Sequence, residues 1–160
     1  MQIEVRSLSK ENLLKIKEID KKFYQEEILN IEWYLARYSS KHKGIFLLDN
    51  NKVVGYLVSV PIKKELYEAI INGVLTNDLY INPSMFINDS NYNYISSCVL
   101  LEEYQNKGYG SQMMKKLFQN SKGQFCTLTI SDKGYFLAKK FLNLKIKIND
   151  KVNVFEKEIS

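Results

Sequence analysis

One short loop in this sequence has the residue types and the spacing of an anion-binding loop. It consists of Gln105, Asn106, Lys107, Gly108, Tyr109 and Gly110. Glycine lets the backbone turn tightly and come close to an anion, where any Cβ would intrude. A helix that begins after such a loop adds unpaired backbone N–H groups and partial positive charge. The pattern therefore predicts a site for a phosphate or pyrophosphate group.

The segments on either side of this loop are typical of a strand and a helix. Tyr94 to Leu101 is rich in β-favouring residues and contains no Gly or Pro, which predicts a buried strand. After the loop, apolar residues recur at helical spacing, namely Met113, Met114, Leu117 and Phe118. The sequence has neither G-x-x-x-x-G-K-S/T nor G-x-G-x-x-G, which excludes a P-loop and the Rossmann fingerprint.

This strand–loop–helix unit resembles the acetyl-CoA loop of the GCN5-related N-acetyltransferase (GNAT) family, Q/R-x-x-G-x-G/A. The residues from Glu103 to Gly108 are also similar to that family's approach sequence, E-Y-R-G-K-G. The resemblance implies acetyl-CoA as co-substrate, with its pyrophosphate in the loop from Asn106 to Ser111. It further implies a pantetheine arm that pairs with the backbone of Cys98, Val99 and Leu100. The alternatives are an ordinary β–α turn with a glycine corner and a strand that serves only as core.

The remaining elements follow the order of that family. Hydrophobic periodicity, caps and turn residues predict β-α-α-β-β-(α)-β-α-β-α-β-β, with a hairpin of Gly44–Leu48 and Lys52–Ile62. The resemblance implies an α+β fold with three α/β/α layers. Its mixed, mostly antiparallel central sheet would have about seven strands, in a single domain over residues 1–160. The segment 63–91 is longer than the family's usual turn and could serve substrate contacts, dimer contacts or cover for the sheet.

The catalytic groups are the part of the sequence that departs from the family. The resemblance implies a proton-donating tyrosine about seven residues after the cap of the helix that follows the fifth strand. Here the cap is Ser131 and the seventh residue is Ala138, so Tyr135, one turn earlier, becomes the candidate general acid, with packing as the alternative role. No carboxylate lies between Tyr94 and Leu101, and Glu102 and Glu103 beside the loop are expected to be solvated. Asp78, Asp89 and water stay open as the group that takes the proton from the amine.

Composition and charge argue against several other classes of function. The chain has 160 residues, of which 45% are hydrophobic and 12% aromatic, as expected for a folded globule. The net charge of +5 favours an anionic co-substrate, and because the lysines are interspersed with acidic residues a nucleic-acid site is disfavoured. The single histidine, His42, argues against a Ser-His-Asp triad and against a histidine metal site.

Cysteines and apolar segments bear on the compartment. Cys98 and Cys126 fall in predicted strands without metal spacing, which predicts two reduced core residues and a cytoplasmic protein. No signal peptide is visible at the N-terminus. The longest apolar segment, Val53 to Ile62, is too short to span a bilayer, so no membrane partner is expected.

Taken with the resemblance, these features predict an N-acetyltransferase that moves acetyl from acetyl-CoA to a primary amine. The acceptor stays open among small amines, peptide N-termini, lysine side chains and aminoglycosides, and the chain could be a monomer or a homodimer. The alternative function is a non-catalytic CoA-binding module or sensor on the same fold, which Ala138 motivates.

Overall fold

The computed structural model describes residues 1–24 and 30–160 and contains the predicted order of elements. The strands are β1 Gln2–Ser7, β2 Lys43–Asp49, β3 Lys52–Pro61, β4 Tyr92–Leu100, β5 Gly123–Thr129, β6 Asn143–Lys147 and β7 Asn153–Ile159. The α-helices are α1 Lys10–Asp20, α2 Ile31–Arg37, α3 Lys64–Ile71, α4 Tyr109–Gln119 and α5 Asp132–Phe141. None of the helices in these ranges is long and apolar enough to cross a membrane.

The strands form one sheet in the order β1-β2-β3-β4-β5-β7-β6. β2 pairs antiparallel with β1 and with β3, and β7 pairs antiparallel with β5 and with β6. β4 and β5 are parallel. The predicted fold class, with a mixed and mostly antiparallel sheet of seven strands, is therefore confirmed.

The chain divides into two compact units, and each is described separately. Unit 1 comprises residues 1–58 and 97–117, and unit 2 comprises residues 59–96 and 118–160. The expectation of a single domain over 1–160 stays a prediction. Unit 1 buries apolar side chains of α1, β2 and β3, among them Leu13, Ile16, Phe46, Leu47 and Leu57.

The β2–β3 hairpin of unit 1 turns through Asn50 and Asn51, whose φ angles are +49° and +65°. Asparagine tolerates this left-handed region better than other residues with a Cβ, because its short side chain bonds to local backbone groups. The prediction of a turn at these asparagines is therefore confirmed.

Two apolar positions of the helical stripes lie outside the core. After Leu13 and Ile16, the sequence offers Ile19 or Phe23 as the next buried position of α1; Ile19 is 4% exposed, whereas Phe23 is 43% exposed because α1 ends at Asp20. In α2 the predicted stripe includes Tyr34 and Leu35; Tyr34 is buried, whereas Leu35 is 44% exposed. A seven-residue helix such as α2 offers too few turns for its periodicity to identify the buried face.

In unit 2, the longer segment 63–91 is tied to its surroundings. α3 buries Leu66, Tyr67 and Ile70. The carboxylate of Asp78 accepts a hydrogen bond of 2.7 Å from the hydroxyl of Tyr94 on β4. These contacts favour the predicted role as structural cover, and the roles in substrate or dimer contacts stay predictions.

Candidate active site

The end of β4 is the part of unit 1 that the sequence assigned to the pantetheine arm. The pairing of β4 with β5 covers Tyr92–Ile95, and the half-buried residues Cys98, Val99 and Leu100 follow beyond it. Gly55 on β3 makes room for this end of the strand, since a Cβ at Gly55 would lie 2.5 Å from Leu100 Cδ2 and 3.1 Å from the Val99 oxygen. The three predicted residues are thus the last three of β4, in close contact with β3 at Gly55.

The thiol of Cys98 is neutral in this setting. The residue is a free cysteine, and burial raises the pKa of its thiol to about 12. A neutral thiol is a weak nucleophile, because thiolate is the reactive form. Cys98 is therefore suited to a place along the strand and not to an acyl-cysteine intermediate.

Two side-chain hydrogen bonds fix the connection from β4 to the loop. The Gln105 side-chain amide donates a bond of 2.9 Å to the backbone oxygen of Leu100. The Tyr104 hydroxyl donates a bond of 2.7 Å to the Asp49 carboxylate at the end of β2, and this bond raises the pKa of the phenol to about 12. The loop therefore leaves the strand in a defined direction.

The glycine loop has the backbone that the sequence predicted. Gly108 has a φ of +84°, and Asn106 has a φ of +60°. A Cβ on Gly108 would meet no atom within 4 Å, so space around this residue is open. The backbone conformation therefore favours glycine, and the open space leaves room for a ligand.

Helix α4 starts directly after Gly108. Tyr109, Gly110 and Ser111 form its first turn, and the Gln112 N–H bonds to the Gly108 oxygen at 3.1 Å. The N–H groups of a first turn have no partner within their own helix and carry the positive end of the dipole. Lys107 is exposed beside them. Unpaired N–H groups, a positive helix end and a nearby lysine are features that favour an anion, and the role of this loop in binding pyrophosphate stays a prediction.

Tyr135 lies in unit 2, in the first half of α5, which is capped by a bond of 3.1 Å from the Gly134 N–H to Ser131 Oγ. Its ring packs against Phe155, with the centroids 5.5 Å apart, and Lys147 Nζ lies 5.9 Å from the ring centroid. The tyrosine also lines a cavity of about 320 Å³. The Tyr135 ring is thus packed against a neighbouring side chain and also borders a cavity. Its role as general acid stays a prediction.

That cavity has polar walls. Its lining includes Asp132, Asp150, Lys147, Lys151 and Asn153. Asn153 is 6% exposed, and its Oδ1 atom has no hydrogen-bond partner within residues 1–24 and 30–160. Buried polar atoms are normally paired, so this oxygen is available to a donor on a ligand or to water.

Sequence reasoning missed a buried carboxylate in unit 1. Asp20, the last residue of α1, accepts a hydrogen bond of 2.6 Å from the Tyr34 hydroxyl and one of 2.5 Å from the Tyr56 hydroxyl. Burial raises the pKa of this carboxyl to about 6, although both bonds act to lower it. One sequence signal existed, since Asp20 continues the buried stripe of Leu13 and Ile16 at helical spacing.

A family comparison bears on this arrangement. The model described as "Acetyltransferase (GNAT) family" matches residues 10–133, more than three quarters of the chain. The chain belongs to the GNAT acetyltransferase family. The resemblance noted in the loop is confirmed, and this GNAT protein is accordingly an acyltransferase.

Solved structures share the GNAT fold over nearly the whole chain. The loading GNATL domain of CurA from Lyngbya majuscula is 15% identical, with 99% of this chain and 98% of that chain covered at a TM-score of 0.66. Arabidopsis thaliana Naa50, in complex with the bisubstrate analogue CoA-Ac-MVNAL, is 13% identical, with 99% of both chains covered at a TM-score of 0.61. PaiA N-acetyltransferase from Thermoplasma acidophilum, in complex with coenzyme A, is 17% identical, with 99% of both covered at 0.54. The curated proteins include no match to this GNAT chain.

Proposed function

We propose that this protein transfers an acetyl group from acetyl-CoA to a primary amine. The observation that carries the proposal is the left-handed Gly108 directly before α4, in the short connection that follows the strand end Cys98–Leu100. A glycine loop, a helix N-terminus and an accessible strand backbone supply the three kinds of contact that a CoA thioester needs. Acetyl-CoA would bring an activated acyl group, and the residues of the chain would hold and orient it.

Each part of the site would have a separate task. The N–H groups of Tyr109, Gly110 and Ser111 would bind the pyrophosphate, with Lys107 adding positive charge. The backbone of residues 98–100 would pair with the amide groups of the pantetheine arm. Because backbone groups make these bonds, apolar side chains at these positions would not weaken the binding of the arm. In this way the thioester is positioned for direct attack by the amine.

The reaction itself forms one bond and breaks one. The amine nitrogen bonds to the acetyl carbon, and the carbon–sulfur bond breaks. The nitrogen loses a proton and the departing sulfur gains one. We propose Tyr135 as the donor of the second proton, supported by its place at the cavity of unit 2.

A panel of amines tests this function. Purified protein is incubated with acetyl-CoA and one amine at a time, and release of free thiol is followed. Thiol release with at least one amine is the expected result. Stabilisation by acetyl-CoA without release on any amine would instead indicate a non-catalytic CoA-binding module.

The setting of the protein belongs to the same proposal. Cys98 and Cys126 are both free thiols, which supports a reducing compartment such as the cytoplasm.

A further inference from the structure

Three side chains of unit 1 form a hydrogen-bonded line from the strand β4 to the end of α1. Ser97, half-buried on β4, hydrogen-bonds to the hydroxyl of Tyr56 on β3. The Tyr56 hydroxyl in turn donates to Asp20 Oδ1 at 2.5 Å. Tyr56 is 2% exposed and Asp20 is 5% exposed, so the line leads from an accessible residue to a buried carboxylate.

The chemistry of each group gives this line a direction. Burial, the charge of Asp20 and the hydrogen bond to Asp20 hold the pKa of the Tyr56 phenol well above its usual range, while the bond from Ser97 acts to lower it. Tyr56 therefore keeps its proton and donates it to Asp20, and Ser97 donates to Tyr56. Since burial raises the pKa of Asp20 to about 6, its carboxylate is charged at neutral pH and able to accept a proton.

The surroundings of Asp20 leave this charge in place. The Tyr34 hydroxyl on α2 is the second hydrogen-bond donor to Asp20. Tyr24 and Tyr38, which lie outside α2, contribute electrostatically to raising the pKa of the Tyr34 phenol. The Arg37 guanidinium, also on α2, stacks 4.4 Å above the Trp33 ring. Two phenol donors therefore solvate the carboxylate that burial would otherwise neutralise.

The position of Ser97 connects this line to the reaction. Ser97 directly precedes Cys98, the first residue of the strand end to which the pantetheine arm is assigned. Acetyl transfer also needs a group that takes the proton from the amine. Neither β4 nor the loop 105–111 of the proposed acetyl-CoA site carries a carboxylate that could do so. A hydroxyl at this point can relay a proton only if a base stands behind it, and Asp20 is such a base.

We propose that Ser97, Tyr56 and Asp20 form a proton relay that deprotonates the amine during acetyl transfer, a role that rests on the proposed function. As the nitrogen–carbon bond forms, the amine proton passes to Ser97 Oγ. The Ser97 proton passes to Tyr56 Oη, and the Tyr56 proton passes to the Asp20 carboxylate. The carbon–sulfur bond breaks, and the sulfur takes its proton from Tyr135 or water. After product leaves, the same steps in reverse return the proton to solvent.

Tyr56→Phe and Tyr34→Phe are a matched pair for testing the relay. Each removes one hydroxyl that donates to Asp20, but only Tyr56 stands between Asp20 and Ser97. Tyr56→Phe should lower kcat about 10²- to 10⁴-fold, the range for loss of proton transfer. Tyr34→Phe should lower the high-pH plateau of kcat about tenfold less than Tyr56→Phe does, because it changes the pKa of Asp20 but leaves all three relay groups in place. Stabilisation by acetyl-CoA should be unchanged in both variants.

The pH profile adds a measurement that packing alone would not move. In the unchanged protein, kcat should fall as pH drops through about 6, where Asp20 takes up its proton. Tyr34→Phe removes a bond that lowers the pKa of Asp20, so this fall should move to higher pH. A profile without a titration near pH 6, or one that Tyr34→Phe leaves in place, contradicts the relay.

Ser97 keeps the proposal testable if Tyr56→Phe fails to fold. Ser97→Ala should lose as much turnover as Tyr56→Phe, and Ser97→Thr should recover most of it because the hydroxyl is retained. Full turnover in Ser97→Ala, or equal losses in the Tyr34 and Tyr56 variants, would overturn the relay while the acetyltransferase function stands. Absence of turnover in the unchanged protein on every amine would overturn the function and the relay together.

Discussion

The side-chain amide of Gln105 donates a hydrogen bond of 2.9 Å to the backbone oxygen of Leu100, the last residue of β4. This bond joins the end of the strand assigned to the pantetheine arm with the start of the loop assigned to the pyrophosphate. The two halves of the proposed acetyl-CoA site, five positions apart at the bonded pair, are thereby held in a fixed relation.

Loss of this bond should weaken acetyl-CoA binding. In Gln105→Ala we expect the Kd to rise roughly fivefold, since one hydrogen bond contributes about 1 kcal/mol. Gln112→Ala is the control, because the exposed Gln112 side chain lies on α4 outside this connection. Isothermal titration with acetyl-CoA measures both. Equal Kd values in the two variants would show that the bond has no part in holding the site.

Substitution of Gly108 should lower stability because of its backbone conformation and not because of steric clashes. In Gly108→Ala the left-handed φ of +84° costs about 1–2 kcal/mol, while the added methyl group meets no atom within 4 Å. We expect a lower urea midpoint and a smaller acetyl-CoA thermal shift. Asparagine adopts this region more readily, so Gly108→Asn should recover part of both losses. An alanine variant with unchanged midpoint and shift would contradict this account.

Buried Asp20 should make stability depend on pH. Its pKa is raised by burial from 3.8 to about 6 in the folded state, so folding favours its protonated form. The folded protein should therefore lose stability as pH rises from about 4 through 6, by up to roughly 3 kcal/mol. Urea unfolding at pH 4.5 and 7.5 measures the change. Asp20→Asn should remove this component, whereas Glu18→Gln, at an exposed site of the same helix, should keep it.

The sequence was informative wherever a feature depends on neighbouring residues. The glycine loop, the asparagine turn and the order of elements are such local features, and the structure confirms them. The contacts of Asp20 with Tyr34 and Tyr56 join residues 14 and 36 positions apart. No local pattern encodes such a pairing, because it arises only when α1, α2 and β3 are packed together. For the same reason, the sequence points to carboxylates near the loop and in the segment 63–91 as candidate bases and gives no sign of this role for Asp20.

The two cysteines should react slowly with a bulky thiol reagent. Burial raises the pKa of both thiols, to about 12 for Cys98, so little thiolate is present at pH 8. We expect labelling of the native protein to be far slower than in urea. Because Cys98 is only half-buried, acetyl-CoA should slow its labelling further, while Cys126 should be unaffected. Fast labelling of native Cys126, or a disulfide between the two residues, would contradict the assigned burial.

Tyr135 lies one turn before Ala138, the position where the resemblance implies a tyrosine, and a single hydroxyl decides its role. The leaving thiol has a pKa near that of cysteine, roughly 8.5, so the departing sulfur needs only modest help. If Tyr135 supplies that proton, Tyr135→Phe should lower kcat about 10²- to 10⁴-fold, while acetyl-CoA binding and the ring contact with Phe155 stay.

If Tyr135 serves only in packing, its substitution should affect stability and not turnover. Tyr135→Phe would then leave kcat unchanged, because the ring is kept. Tyr135→Ala would lower the free energy of unfolding by about 3 kcal/mol, since it removes a large ring from its contact with Phe155. Steady-state kinetics of the phenylalanine variant, on any amine that supports turnover, separates the two roles. Unchanged kcat would exclude Tyr135 as the donor and leave Tyr104, Tyr109 or water to protonate the thiolate.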